Sequence, residues 1–585
     1  MASQVQRPDR YSEDTAAYNV QTSVQPSLED VTKLLDKSKS LPNAPNLVPL
    51  CASISSEFLT PSAIYLKIAA NSDSKLSFLF ESAATTETIG RYSFVGASPR
   101  TVLTSGPDHG LEADPLPRLG AELAKYRVAS VPALRLPPMT GGAIGYVGYD
   151  CVKYFEPKTK RDMKDVLKVP ESLFMLCDTI VAIDHFFQKV MVITYLHVPG
   201  PNAPKSALEK AYEAGRKTIM GLLKVLKSKD MPLPPQPAVK LGQEYTSNIG
   251  RKGYEAHVTA LKKHITEGDI IQAVPSQRIA RPTSLHPFNI YRHLRTVNPS
   301  PYLFYIDCDS FQIVGASPEL LVKAELGTSS APGWIITHPI AGTVKRGATP
   351  DEDTRLADTL RASMKDRAEH VMLVDLARND VNRVCDPLTT RVDRLMVVQK
   401  FSHVQHLTSE VSGVLRKGKT RFDAFRSIFP AGTVSGAPKV RAMELIAELE
   451  KEKRGVYAGA VGYFGYSIVD VETGAEQEGA MDTCIALRTM MVKDGVAYIQ
   501  AGGGIVFDSD EGEEYEETMN KAAANMRCIE QAERLHYEEQ QDNGVAATEE
   551  AVGDGVQANG VSPLGTMDAG TKDGGPKAKV DLAGG

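Results

Sequence analysis

Two pairs of carboxylates, far apart along the chain, share one spacing. Asp366 and Glu369 open the stretch Lys365-Asp-Arg-Ala-Glu-His-Val-Met-Leu-Val-Asp-Leu-Ala-Arg-Asn-Asp380, and Glu514 and Glu517 lie in Glu513-Glu-Tyr-Glu-Glu517-Thr-Met-Asn-Lys521. On a helix, residues three apart share a face, so each pair presents two acids side by side. Two such pairs facing each other would offer oxygen ligands to a hard cation. Mg²⁺ takes only one or two carboxylates directly and keeps several waters, so one acid per pair would bind it while the other held a water. The other reading of each pair is an acidic first turn favoured by the helix dipole. Spacing alone does not separate the two.

Other residues could serve an anionic substrate. Gly502, Gly503 and Gly504 would let backbone amides approach a carboxylate or phosphate closely, or else form a bulge or tight turn. Arg488, flanked by apolar residues in Cys484-Ile-Ala-Leu-Arg-Thr489, would want a planar carboxylate if it points inward, and water if it lies at a sheet edge. His406 stands alone, a pattern more often structural than catalytic. There is no GxGxxG, and Gly432-Thr-Val-Ser-Gly-Ala-Pro-Lys439 is not a Walker A loop. Neither G-x-S-x-G nor a Cys/His glutaminase-like arrangement occurs, so nucleophilic acyl chemistry has no support. The residues alone thus describe a Mg²⁺-dependent enzyme acting on a small, anionic, non-phosphorylated substrate.

The elements that must position these groups can be read in outline. The stretch from Lys365 has no Pro or Gly and apolar residues nearly all round, which predicts a helix buried inside a domain. At 585 residues, 42% hydrophobic and 24% charged, the chain should form several soluble domains. Residues 1–26 are expected to be disordered, 27–230 to form an N-terminal domain, 231–246 a Pro-rich linker, 247–535 a second domain, and 536–585 a disordered tail. The net charge of −6 argues against nucleic acid as the main partner. No apolar run approaches the ~20 residues that span a bilayer. Seven scattered cysteines fit a reducing, cytoplasmic setting. Val95-Gly-Ala-Ser-Pro99 recurs as Val314-Gly-Ala-Ser-Pro318, and Gly142-Ala-Ile-Gly-Tyr-Val-Gly-Tyr149 as Gly459-Ala-Val-Gly-Tyr-Phe-Gly-Tyr466, in the same order. Two related α/β units follow, with Arg100 after the first Ser-Pro and Glu319 after the second. If one copy does chemistry, the second has the acid.

Several stretches together resemble the chorismate-utilising enzymes, and within them anthranilate synthase component I: Pro339-Ile-Ala-Gly-Thr-Val-Lys-Arg-Gly347, Asp366 to Asp380, Pro430-Ala-Gly-Thr-Val-Ser-Gly-Ala-Pro-Lys439, and Gly502 to Lys521. The resemblance implies an α+β fold, two related units with large, mainly antiparallel sheets and helices packed outside. It implies conversion of chorismate and ammonia to anthranilate and pyruvate, with ammonia supplied by a separate glutamine amidotransferase subunit. Mg²⁺ would then sit on Glu369 and Glu517, with Asp366 and Glu514 in the outer shell. Glu319 would be the general acid, with His406 and Thr433 beside the ring. Gly342, Thr343, Tyr457, Arg488 and Gly502 to Gly504 would bind substrate. Glu81, Ser82, Pro301, Tyr302 and Leu303 resemble an allosteric pocket for L-tryptophan. Isochorismate and salicylate synthases carry a water-activating lysine where this chain has Gln272, and aminodeoxychorismate synthases often carry lysine where it has Ala341. Both positions favour anthranilate synthase over these relatives; the alternatives are an aminodeoxychorismate synthase component, and a silent tryptophan-binding subunit, against which Glu319, Glu369 and Glu517 are all present.

Overall fold

The computed structural model describes residues 20–82, 90–200, 204–325, 327, 333–401 and 404–553, with side chains through 542. Helix starts follow the local chemistry. Ser27 caps Leu28–Ser38 by accepting from the Asp30 N–H, and Thr60 with Pro61 opens Pro61–Ala70. Longer apolar runs such as Ser172–Cys177 and Thr179–Asp184 are strands buried along almost their whole length. Such runs belong in sheets covered on both faces.

Among the described residues these strands form a 14-stranded and a 10-stranded sheet, nearly all antiparallel. One core cluster joins Phe78, Ile180 and Phe304 of the larger sheet to Ile144, Tyr146 and Val461 of the smaller, so it fills the space between them. Two further clusters pack helices on the outer faces: Ile64, Ile219, Ile290 and Ile529 on one side, Leu116, Val374, Phe425 and Met443 on the other. The architecture is α+β, with large antiparallel sheets inside and helices outside.

The echoed motifs lie at the centre of this arrangement. Gly142–Val147 pairs antiparallel with Ala460–Phe464, with Gly145 opposite Gly462, its own counterpart in the repeat. In the larger sheet Ser77–Glu81 pairs with Tyr302–Asp307, placing Glu81 opposite Leu303. Segment 231–246 therefore separates the two units along the chain but not in the sheets, which draw strands from both sides of it.

Several expectations need correction. Residues 20–26 are ordered, with Val24 buried and the Gln25 N–H donating to the Cys51 carbonyl at 2.8 Å; residues 1–19 lie outside the described residues. The last helix runs Glu511–Gly553, well past 536, because Gln540 still finds the Val239 N–H at 3.1 Å; residues 554–585 lie outside the description. The apolar run 270–278, which by its β-branched residues reads as one strand, is two. Pro275 divides it into Gln272–Ala273 and Ser276–Pro282. The helix Met364–Asn382 is not buried all round, since Met364 is 80% and Val371 49% exposed. It lies along the strands Ile340–Lys345 and Val404–Val414, and its buried face carries His370, Leu373, Val374 and Val381. A helix on the outer face of a sheet needs only one apolar stripe.

Candidate active site

Glu319 begins the construction. It sits between the strands Gln312–Ser317 and Leu320–Ala324, where its backbone carbonyl accepts the Ile485 N–H at 3.0 Å. Its side chain is buried, and burial pushes its pKa up to about 8, against opposing hydrogen bonds from Thr433 and the Ile340 N–H. Thr433 Oγ1 donates to Glu319 Oε1 at 3.0 Å from the single turn Gly432–Val434. A carboxyl group with that pKa is protonated at neutral pH and can give a proton away.

His406 lies on Val404–Val414 opposite Thr343, at a bulge in the pairing with Ile340–Lys345. Its Nδ1 is 3.0 Å from the Gly342 carbonyl and 3.0 Å from Thr343 Oγ1. A carbonyl can only accept, so Nδ1 carries the hydrogen. Burial first, then the nearby Arg488 and Lys521 charges, lower the imidazole to about 4, so the ring is neutral. Arg488 itself has φ of +50° and a guanidinium with no carboxylate partner among the described residues, its pKa lowered by burial. Only the Tyr457 hydroxyl stands close enough to favour its charge.

The carboxylate pairs come together from two helices. Burial is the first cause of the raised pKa of Glu369, and Glu517 and Asp366 push it further. Glu514 is raised in the same way, by burial and then by Glu517. Glu369 Oε1 accepts from Gln272 Nε2 at 3.0 Å, and Glu514 Oε1 accepts from Ser509 Oγ at 2.6 Å. Glu514 Oε2 is buried without a partner. Unpaired buried oxygen and mutually repelling carboxylates are what a hard cation would relieve, so the donor set fits Mg²⁺. The four acids do not converge tightly in this conformation. Among the described residues, the group with ligand atoms all within 4.8 Å is His264, Glu267 and Asp269, at an exposed helix end. Glu517 is instead turned to Lys521, 2.6 Å away.

The glycines behave differently from expectation. The Gly503 N–H is taken by Tyr254 Oη at 3.0 Å, so that amide is not open to a ligand here. Close packing explains two of the glycines. A Cβ at Gly503 would stand 2.7 Å from Glu514 Oε2, and one at Gly504 2.4 Å from Gln272 Nε2. Lys521 was missed in the sequence. It donates to the Gly502 carbonyl at 2.9 Å and is felt by Glu369, Glu514 and His406, so it is the central cation of the cluster. Its signal was present, one helical turn beyond Glu517.

Glu81, Ser82, Pro301, Tyr302 and Leu303 fall together on two neighbouring strands and their ends. Glu81 is buried there and accepts from Tyr291 Oη at 2.6 Å and Arg295 at 3.0 Å, while Leu303 is in the core. A separate cavity of about 770 Å³, lined partly by Tyr149, Asp150, Glu450 and Arg454, contains none of the expected site residues.

The sequence pattern of chorismate binding enzymes matches residues 76–527. The chain is a chorismate binding enzyme. Among curated relatives of this family member, anthranilate synthase component 1 of Saccharomyces cerevisiae is 60% identical over 517 residues, covering 88% of this chain and 97% of that protein. A probable anthranilate synthase component 1 of Schizosaccharomyces pombe is 55% identical, covering 88% and 99%. The crystal structure of anthranilate synthase component I from Streptococcus pneumoniae superposes with a TM-score of 0.60 at 35% identity, covering 76% of this family member and 94% of that chain.

Proposed function

We propose that this chorismate binding enzyme is the synthase subunit that converts chorismate and ammonia to anthranilate, pyruvate and water. The observation that carries the reading is the buried, protonated Glu319, held by Thr433 and accompanied by the half-buried Arg488, which has no carboxylate partner among the described residues. Chorismate has two carboxylates. Arg488 and Tyr457 would receive one, with Gly342, Thr343 and Gly504 closing around the substrate. Glu369 and Glu517 would hold Mg²⁺ for the other, Asp366 and Glu514 standing behind them. The ion would neutralise that carboxylate and fix its place.

Glu319 then gives its proton to the ring hydroxyl, which leaves as water while ammonia bonds to the ring. The neutral His406, fixed by Gly342 and Thr343, lies on the ring side without adding charge. Loss of a ring proton and cleavage of the enolpyruvyl ether bond release pyruvate and leave an aromatic ring. Gln272, an amide, offers no base to activate water, which suits a nucleophile that needs none. Ammonia would come from a separate glutamine amidotransferase subunit. L-Tryptophan would inhibit from the segment around Glu81, Ser82 and Pro301 to Leu303. The seven free, buried cysteines favour the cytoplasm.

The test is direct. Purified chain is given chorismate, Mg²⁺ and ammonium at alkaline pH, and anthranilate fluorescence and pyruvate are followed. Both products should appear. Chorismate consumption without pyruvate would point to an aminodeoxychorismate synthase, and no consumption would overturn the enzyme reading.

A further inference from the structure

Three segments of the candidate site come together around one short ladder, Gln272–Ala273 paired with Gly436–Ala437 and extended by the Val274 N–H, which donates to the Ser435 carbonyl at 3.0 Å. Gln272, the partner of Glu369, lies just before Val274 and Pro275. Thr433, the partner of Glu319, lies in a single turn. Tyr457 follows the helix Lys439–Glu450 by a short link. All three meet at one guanidinium. Arg454 is 1% exposed and donates through Nη2 to the Val274 carbonyl at 2.7 Å and through Nη1 to the Val434 carbonyl at 2.9 Å. It grips Glu450 with two prongs, Nε to Oε2 at 2.9 Å and Nη2 to Oε1 at 2.7 Å. Its centre lies 5.7 Å from the Tyr457 ring and 4.4 Å from that of Tyr149. Glu450 extends the clamp, since Oε1 also accepts from the Ser276 N–H at 2.7 Å and from Ser276 Oγ at 2.9 Å.

The chemistry of the group suits this use. A buried ion pair adds little net stability compared with an apolar replacement, so stability alone is a weak reason for it. What a planar guanidinium adds is direction, with four N–H···O bonds fixed in one fork. We infer that Arg454, oriented by Glu450, is a positioning residue that braces this two-residue ladder and with it sets the distance between the Thr433–Glu319 acid and the Gln272–Glu369 carboxylate. It acts through the two backbone carbonyls next to Thr433 and next to the Gln272 segment.

The inference rests on the proposed reaction, and Arg454→Lys tests it once the wild-type chain is seen to turn over chorismate. Lysine keeps the charge but has one nitrogen where arginine has three, so it cannot hold Glu450 and both carbonyls. A displacement of about 1 Å can cost on the order of 100-fold in rate. Arg454→Lys should lower kcat by roughly 10–100-fold with little change in chorismate KM. It should also lose less activity in a Thr433→Val background, because the two act through one contact. Ser276→Ala, which loosens Glu450 and removes no charge, should lower kcat in the same direction by a smaller factor and decides the matter if Arg454→Lys does not fold. Unchanged kcat in the soluble variant, a loss that follows only the folded fraction, or full additivity with Thr433→Val would overturn the inference. An inactive wild type would instead sink the functional reading.

Discussion

Thr433→Val gives the sharpest test of Glu319 as the acid. The substitution keeps the size and branching of the side chain and removes the hydroxyl that donates to Glu319 Oε1 at 3.0 Å. A hydrogen bond to a carboxylate contributes ~1.5–3 kcal/mol, against about 1 kcal/mol to a neutral acceptor, so its loss penalises the ionised form by ~0.5–2 kcal/mol. At 1.36 kcal/mol per pH unit this raises the pKa by roughly 0.4–1.5 units. Glu319 begins at about 8, raised by burial. Because the protonated form is the active one, activity is present below this pKa and lost as pH rises through it. The alkaline limb of kcat/KM, which reports the free enzyme, should therefore move upward in the variant even though the rate on the plateau falls. Ammonium must be adjusted at each pH to keep neutral ammonia constant, so that the nucleophile does not contribute its own titration. An alkaline limb that stays in place, or moves down, would refute Glu319 as the group that titrates.

Four further outcomes follow from particular contacts. Glu517→Gln should weaken Mg²⁺ binding, measured by calorimetry on the chain as well as by Mg²⁺ activation, by at least ~10-fold; wild-type affinity would remove Glu517 from the site. Gly504→Ala should displace the Gln272 amide, which a Cβ would approach to 2.4 Å, and release Glu369. Its cost should be roughly 10-fold or more in Mg²⁺ affinity or turnover, with the melting temperature nearly unchanged because only the end of a side chain must shift. Ser82→Ala should spare turnover and weaken inhibition by L-tryptophan, read as the inhibitor concentration that halves the rate; unchanged inhibition would remove Ser82 from the regulatory site. Glu533→Gln breaks a bidentate pair with Arg281 whose two side chains are 2% and 1% exposed. It should lower unfolding stability in urea by about 3–5 kcal/mol.

What could be read from the residues was local. The i, i+3 spacing of Asp366 with Glu369 and of Glu514 with Glu517 depends only on helical periodicity, and both pairs do lie on helices near one another. The depth of a helix depends on what lies on its far side, which periodicity does not encode. Hence Met364 and Val371 emerged exposed from a run that looked apolar all round. The Pro-rich segment at 231–246 marks a break in the chain, but strand pairing across it is non-local, and no residue of the linker records that Glu81 will face Leu303. Arg454 was invisible for a related reason. An arginine between Lys453 and Gly455 reads as surface charge, and only the fold brings Val274, Val434 and Glu450 to its nitrogens. The glycines show the opposite limit. Their need for close approach was legible, but the atoms approached at Gly503 and Gly504 are the side chains of Glu514 and Gln272, not a ligand.

The repeat accounts for one proposed acid, Glu319, sufficing for a chain of this size. The two halves contribute matching strands at the centre of each sheet, so both are needed for the paired core, and neither could be lost without exposing a row of strand hydrogen bonds. Chemistry needs only one copy of the turn after Val-Gly-Ala-Ser-Pro. In the first copy Arg100 is held by Asp178 at 2.9 Å, lies 4.3 Å from the Tyr126 ring and donates to Tyr466 Oη at 3.3 Å. Tyr466 closes the second echo, so the position that corresponds to the acid has become a link to the other half. The counterpart of Tyr466, Tyr149, closes the first echo and lies against Arg454 behind the catalytic segments. Each half thus supplies a tyrosine to an arginine associated with the other. Arg454 holds the Val434 and Val274 carbonyls, beside Thr433 and the Gln272 segment, and through Tyr149 the first half helps to fix the segments around the proposed acid.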